Sequence, residues 1–149
     1  RTYESAKGIY PGSTKDPRFT PVATVLGRSK LDILDVHSYQ TDLSMHKPVE
    51  QDLRDNLESI NFYTDQFQQI LKKKVMILGE FGSFKDIDHS REEMEDEMIR
   101  IKDTALAEGL AGYLMWTFDN FEQRRMYHAI GGGENFIEKL SKVQPKNIK

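Results

Sequence analysis

The fold is decided by residues 75–82, VMILGEFG, a short apolar run that ends in a glycine-flanked glutamate. A continuous apolar run such as Val75–Leu78, bounded by Lys74 and Gly79, is typical of a strand that is covered on both faces of a parallel sheet. Glu80 follows this strand directly, and a carboxylate there is costly to bury unless it is hydrogen-bonded or paired. Parallel strands need a crossover between them, so the run predicts a βαβ organisation with a polar group at the strand's carboxyl end.

Towards the N-terminus, the sequence predicts one more strand and one long helix. Leu31–Tyr39 has the apolar residues of a strand and gathers its polar residues at its C-terminal end. Glu50–Leu71 carries apolar residues at spacings of three, four and seven, which predicts an amphipathic helix. Upstream, the proline-rich residues 1–21 predict an irregular loop segment, and Val22–Lys30 predicts a helical turn.

Towards the C-terminus, the same alternation continues. Ser90 with Glu93 is a capping-box pattern that starts a helix, and Gly109 closes it. A third strand is predicted over Ala111–Phe118 and a last helix over Glu134–Val143. The predicted buried stripe of the middle helix is Met94, Met98, Ile101, Ala105 and Leu106. The fold class is therefore α/β, with parallel βαβ units built from about three strands and three helices.

Composition excludes several classes of function. The chain has 149 residues, a net charge of −3 and no cysteine, and its one basic block is Lys72–Lys74. Nucleic acid is therefore not expected as a partner. No apolar run approaches the roughly 18 residues of a membrane span, so no membrane partner is expected. Thiolate chemistry and cysteine-ligated metals are excluded, and the compartment stays open on composition.

The strand ends carry the residues that are suited to chemistry. His37 and Tyr39 are two apart, so they share one face of their strand while Ser38 points away. We expect both to converge on Glu80 from the neighbouring strand, with Trp116 at the end of the third strand. Structural alternatives remain for each: Glu80 in an ion pair that closes the strand, His37 as a hydrogen-bonded strand end, and both aromatic residues in the core.

His37-Ser38-Tyr39, then Gly79–Gly82, then Trp116 resemble, in this order, the ends of strands six, seven and eight of the (β/α)8 barrels in clan A glycoside hydrolases. The resemblance is to the cellulase and mannanase type and covers about residues 22–130. It implies that Glu80 is the catalytic nucleophile, that His37 and Tyr39 line the sugar subsite and act with Glu80 as catalytic residues, and that Trp116 stacks on the sugar.

The segment Trp116–Glu122 is also similar to the β-glucosidase branch of the same clan. This similarity makes Glu122 a candidate for binding sugar hydroxyls, and we include Asp119 as a second substrate-binding candidate. The structural interpretation of both is a loop charge or a helix cap. His46, His89 and His128 have no metal-ligand spacing, so we expect no metal site and no cofactor.

The resemblance implies a retaining glycosidase that acts on a β-linked polysaccharide or oligosaccharide, with a carbohydrate substrate as its partner. Residues 1–149 are then expected to form the C-terminal portion of a catalytic TIM barrel. Since the family's acid/base glutamate follows an asparagine at the end of strand four, this chain alone is expected to lack it. The remaining barrel strands belong to the same parent chain or to another chain, and the resemblance favours an extracellular or periplasmic location over a cytoplasmic one.

Two alternatives stay open. The chain is also compatible with a barrel-like protein that binds carbohydrate without cleaving it. It is equally compatible with a small autonomous α/β domain in which the motif match is accidental, although three parallel strands would then leave open sheet edges.

Overall fold

The structure, a computed structural model, describes residues 29–39, 47–84, 90–117, 127, 129 and 134–142. These ranges contain three strands and four helices. The strands are β1 (Ile33–Tyr39), β2 (Val75–Gly82) and β3 (Tyr113–Met115). The helices are α1 (Val49–Ser59), α2 (Asp65–Leu71), α3 (Arg91–Ala107) and α4 (Glu134–Ser141). The predicted loop at residues 1–21 and most of the predicted turn at 22–30 lie outside the described residues.

The strands form one parallel sheet in the order β1-β2-β3, so the fold is α/β with the arrangement of part of a (β/α)8 barrel. Each strand has a more buried and a more exposed set of alternating side chains. Met76 and Leu78 are buried in β2, whereas Val75 is 46% exposed. The expectation that β2 is covered equally on both faces is therefore wrong for Val75, because the described residues leave that side chain accessible.

The helix predicted over Glu50–Leu71 is two helices, so the prediction of a single helix is wrong. Asn61 adopts a left-handed backbone conformation with φ 61°, which a continuing α-helix does not allow. Thr64 then caps α2, and its hydroxyl accepts a hydrogen bond from the Phe67 backbone N–H at 3.3 Å. The rings of Phe62 and Phe67 pack across the break with centroids 5.9 Å apart.

The start of α3 confirms the predicted capping box. The Ser90 hydroxyl accepts from the Glu93 backbone N–H at 3.2 Å, and the Glu93 carboxylate accepts from the Ser90 N–H at 2.7 Å. Four of the five residues predicted for the stripe are buried, namely Met94, Met98, Ile101 and Ala105, while Leu106 is half-buried. The helix ends before Gly109, whose φ of 97° is readily available to glycine.

Replacing Ser90 with alanine is expected to lower the free energy of unfolding by about 1 kcal/mol, because the hydroxyl that accepts from the Glu93 backbone N–H is lost, while the Ser90 backbone N–H can still donate to Glu93. Chemical denaturation measured by circular dichroism checks this value. Ser141→Ala is the matched control, since that exposed hydroxyl bonds only the Glu138 carbonyl of its own helix. A Ser90→Ala protein as stable as the control contradicts the prediction.

The chain divides into two compact units, residues 1–34 with 54–76 and residues 35–53 with 77–149. The core of the first unit holds Leu34, Leu57, Phe62, Phe67 and Met76. The core of the second holds the buried faces of α3 and α4 together with Leu78, Phe81, Leu110 and Tyr127. In neither unit do the described residues include a helix that is long and apolar enough to cross a membrane.

The last two predicted elements are shorter than expected. β3 covers only Tyr113–Met115 of the strand predicted over Ala111–Phe118, and Trp116 lies in a bend just after it. α4 ends at Ser141, and the Tyr113 hydroxyl donates to the Leu140 carbonyl at 2.7 Å, which ties this helix to β3.

A buried polar cluster surrounds Tyr127. The Tyr127 hydroxyl donates to Glu95 Oε1 at 2.8 Å and accepts from Arg91 Nη2 at 3.1 Å, while the Arg91 guanidinium lies 4.7 Å from the ring centroid. The Tyr127 backbone N–H donates to the Ser83 carbonyl at 2.8 Å. Burial, with the Glu95 hydrogen bond, raises the pKa of Tyr127 to about 12.

Tyr127→Phe is expected to lower the free energy of unfolding at neutral pH by about 1–3 kcal/mol, since a buried hydroxyl bonded to charged groups is lost. The folded pKa lies above the ordinary value of 10.0, so the neutral phenol stabilises the fold fully below pH 10 and loses this effect between pH 10 and 12. Denaturation from pH 7 to 12 should show the two proteins converging in stability above pH 10. A constant difference across that range contradicts the prediction.

Candidate active site

One face of β1 carries three polar side chains in a row. Asp35, His37 and Tyr39 alternate along the strand, whereas Ser38 faces the opposite side and is buried. The two-residue period of a strand accounts for this separation. The face that carries the polar row is the accessible one, because Asp35 and His37 are each about half exposed.

Glu80 lies at an irregularity of β2. Leu78 pairs with Tyr113 and Phe81 with Met115, so β2 contributes one more residue than β3 between the two pairs. An extra residue of this kind locally redirects side chains, and it occurs often beside functional sites. The result is a glutamate that is neither buried in the core nor fully exposed, with its side chain 27% accessible.

The side chains of His37 and Tyr39 both reach the Glu80 carboxylate. The Tyr39 hydroxyl donates to Glu80 Oε1 at 2.5 Å, and His37 Nδ1 lies 3.4 Å from Oε2. The structure thus brings together the three residues that the sequence placed at the ends of neighbouring strands, with one protein group at each carboxylate oxygen.

Tyr39 is held as a proton donor. Burial raises the pKa of Tyr39 well above its ordinary value of 10.0, and the hydrogen bond to Glu80 and the charge of that carboxylate raise it further. A phenol with a raised pKa stays protonated at neutral pH, so it donates its hydrogen to Glu80. The Phe84 ring packs against Tyr39 with centroids 5.9 Å apart and contributes to this burial.

Asp35 is a member of the cluster that the sequence analysis missed. Its Oδ2 lies 3.0 Å from His37 Nε2, so the imidazole ring sits between two carboxylates. The signal was present, since Asp35 is two residues before His37 and the period that paired His37 with Tyr39 applies equally to it.

Gly79 provides the space for the Asp35 carboxyl group. A Cβ built on Gly79 would overlap that carboxyl, with Oδ2 only 2.6 Å away. The group that lies over this glycine is the side chain of Asp35.

Trp116 lies beside the strand that carries Glu80. Its backbone N–H donates to the carbonyl of Phe81, the residue after Glu80, at 2.8 Å. The side chain is half-buried, and its indole Nε1 is buried with no hydrogen-bond partner within the described ranges. The peptide bond between Trp116 and Thr117 is cis.

The remaining predicted site residues, Asp119 and Glu122, lie outside the described residues, as do His46, His89 and His128. Within the part of the chain that the structure describes, no three histidine or acidic side chains are grouped as a metal site requires.

The fold invites comparison with known structures. The chain is similar to an endo-β-1,4-mannanase from Thermotoga petrophila. The TM-score is 0.50 at 16% sequence identity, over 85% of this chain. No protein-family model matches the sequence, and no curated protein matches it either.

The likeness to the mannanase shows a shared fold, that of part of a (β/α)8 barrel. This chain spans 30% of the length of the mannanase chain. In parallel α/β folds such as these, ligands bind at the carboxyl ends of the strands. Glu80, Tyr39 and Trp116 all lie at that end of the sheet, and the Tyr39 hydroxyl donates to the Glu80 carboxylate there.

Proposed function

We propose that this chain carries the nucleophile half of a retaining glycoside hydrolase that cleaves β-linked polysaccharides or oligosaccharides. The observation that carries the proposal is the partly buried Glu80 carboxylate at the carboxyl end of β2, bonded by the Tyr39 hydroxyl at 2.5 Å. An ordinary ion pair would not need a neutral phenol as the partner, whereas a nucleophile needs to be ionised, oriented and left with one accessible oxygen.

In this mechanism, Glu80 attacks the anomeric carbon and forms a covalent glycosyl-enzyme, while the glycosidic oxygen leaves with its electron pair. The Tyr39 hydrogen bond orients the carboxylate. Trp116 stacks its indole on the apolar face of the pyranose. Water then attacks the same carbon from the opposite side, so the product keeps the configuration of the substrate.

Retaining hydrolysis also needs a second carboxyl about 5–5.5 Å from the nucleophile to protonate the leaving oxygen. We assign this acid/base to barrel strands beyond those described, on the same parent chain or on another chain. The 30% coverage of the mannanase chain supports this division of the site.

Covalent trapping tests the proposal without depending on the acid. A 2,4-dinitrophenyl 2-deoxy-2-fluoro-β-glycoside has a leaving group that departs without protonation, and the fluorine slows hydrolysis of the glycosyl-enzyme. With the gluco or manno reagent, intact-mass measurement should show one added fluorodeoxyhexosyl group, and peptide mapping should locate it on Glu80. Glu138→Gln, at a side chain that is 76% exposed, is the matched control and should be labelled like the unmodified protein.

Labelling of another residue, or none with either reagent, contradicts the assignment of Glu80. Calorimetry with gluco- and manno-oligosaccharides then decides what replaces it. Binding heat that Trp116→Ala removes, without any labelling, would support a carbohydrate-binding protein that does not cleave its ligand.

A further inference from the structure

Asp35 makes two contacts that have no counterpart elsewhere among the described strand residues. Its Oδ2 lies at hydrogen-bond distance from His37 Nε2, at 3.0 Å, and its carboxyl group fills the space over Gly79 where any other residue would place its Cβ. The first contact holds the His37 imidazole. The second shows that the missing side chain of Gly79 in β2 leaves the space that this carboxyl fills.

We propose that Asp35 is a positioning residue that fixes the ring of His37, and so determines which ring nitrogen faces Glu80 and the substrate. The proposal rests on the function proposed for Glu80 above. The Asp35 carboxylate only accepts, so it selects the state in which His37 Nε2 carries the hydrogen. The other nitrogen, Nδ1, is then directed at the Glu80 Oε2 edge.

The two distances support this order of roles. The 3.0 Å contact to Asp35 is within the range of an N–H···O hydrogen bond, whereas the 3.4 Å contact from Nδ1 to Glu80 exceeds it. Asp35 therefore holds the ring, and Nδ1 stays near Glu80 to meet a substrate hydroxyl. Nε2 carries a hydrogen both in the neutral tautomer that Asp35 selects and in the protonated ring, so the role of Asp35 is the same in both states.

The tautomer gives a test that is independent of catalysis. Two-bond ¹H–¹⁵N correlation spectra of the labelled protein should show the Nε2–H form for His37. Asp35→Asn retains a carbonyl oxygen as acceptor and should keep this form, whereas Asp35→Ala should give a mixture of tautomers. An unchanged His37 spectrum in Asp35→Ala overturns the inference, whether or not Glu80 becomes labelled.

The rate of covalent trapping gives the functional side of the test. Asp35→Ala should slow labelling of Glu80 about tenfold, and Asp35→Asn should restore most of it. Asp96→Asn, at an exposed position on α3, is the matched control and should trap at the unmodified rate. Equal slowing of labelling by Asp35→Ala and Asp35→Asn would overturn the positioning role, because a side chain that keeps the acceptor oxygen would then fail to restore the labelling rate.

Gly79 allows the same conclusion to be reached from the other strand. Gly79→Ala should displace the Asp35 carboxyl and reproduce the trapping defect of Asp35→Ala, and the double variant should be no slower than either single one. Gly112→Ala is the matched control, since its Cβ would meet only Ile77 Cγ2 at an ordinary 3.7 Å. Multiplicative defects in the double variant would show that Gly79 acts independently of Asp35, and would overturn this part of the argument.

Failure of the two proposals is distinguishable. If the unmodified protein is not labelled, the function proposed for Glu80 is wrong, yet the tautomer spectra still report whether Asp35 holds His37. If labelling occurs on Glu80 and the His37 spectrum of Asp35→Ala is the same as that of the unmodified protein, only the positioning role is wrong.

Discussion

Replacing Glu80 with alanine is expected to lower turnover of a 2,4-dinitrophenyl β-glycoside by about 10⁴-fold or more, in the protein that carries this chain. The loss follows from the removal of the carboxylate that is proposed to attack the anomeric carbon, so that the glycosyl-enzyme no longer forms. Thermal unfolding should remain cooperative, since Glu80 is only partly buried and its partners Tyr39 and His37 are reachable by water. Steady-state release of dinitrophenolate measures the change.

Added azide should restore activity to Glu80→Ala and should give the α-glycosyl azide. The small anion occupies the space of the missing carboxylate, attacks the anomeric carbon from the same side, and displaces dinitrophenolate with its electron pair. Since only one displacement then occurs, the configuration is inverted. A β-glycosyl azide would instead assign Glu80 as the acid/base. Glu138→Gln should show neither the loss nor the rescue.

Tyr39→Phe is expected to lower kcat/KM by about 10²-fold, which corresponds to a loss of about 2.7 kcal/mol of transition-state stabilisation. The hydroxyl that is removed donates a 2.5 Å hydrogen bond to Glu80, and without it the carboxylate loses its fixed orientation. The same variant should slow covalent trapping to a similar degree, because that step uses the same carboxylate.

Tyr63→Phe is the matched control, since Tyr63 is exposed and packs edge-on against Phe62. It should leave the kinetics unchanged. A Tyr39→Phe protein with unmodified trapping kinetics would show that the phenol is a structural partner of Glu80 and would remove it from the catalytic machinery.

The residues at the strand ends could be predicted to lie close together, because their placement follows from two simple rules. A period of two places His37 and Tyr39 on one face, and the carboxyl ends of parallel strands meet at one edge of the sheet, so their approach to Glu80 followed from spacing alone. Asp35 lies four residues before the end of β1, so a rule based on strand ends does not include it. The identity of the group over Gly79 depends on how far a neighbouring side chain reaches, and spacing along one strand does not contain that information.

The break between α1 and α2 was not predictable from apolar periodicity. Ile60 and Phe67 are seven residues apart, as on one face of a single helix, so apolar spacing does not reveal the left-handed Asn61 between the two helices. Thr64 was the available signal, because a threonine three residues before a buried aromatic residue is suited to capping a new helix. The extra residue in β2 at Gly79 and Glu80 likewise follows from pairing with β3, which is a property of two strands at once.

The backbone hydrogen bond from Trp116 to the Phe81 carbonyl has a consequence for how such a site can change over evolution. Glu80 lies on β2 and Trp116 directly follows β3, and the spacing of adjacent strands is set by main-chain bonding at about 4.8 Å, whatever side chains surround them. Under the proposed function, insertions and substitutions in the segments that follow these strands would alter which sugars are accepted without altering the offset between the main chain at Glu80 and the main chain at Trp116. The sheet would then keep the geometry of bond cleavage constant while the substrate preference changes.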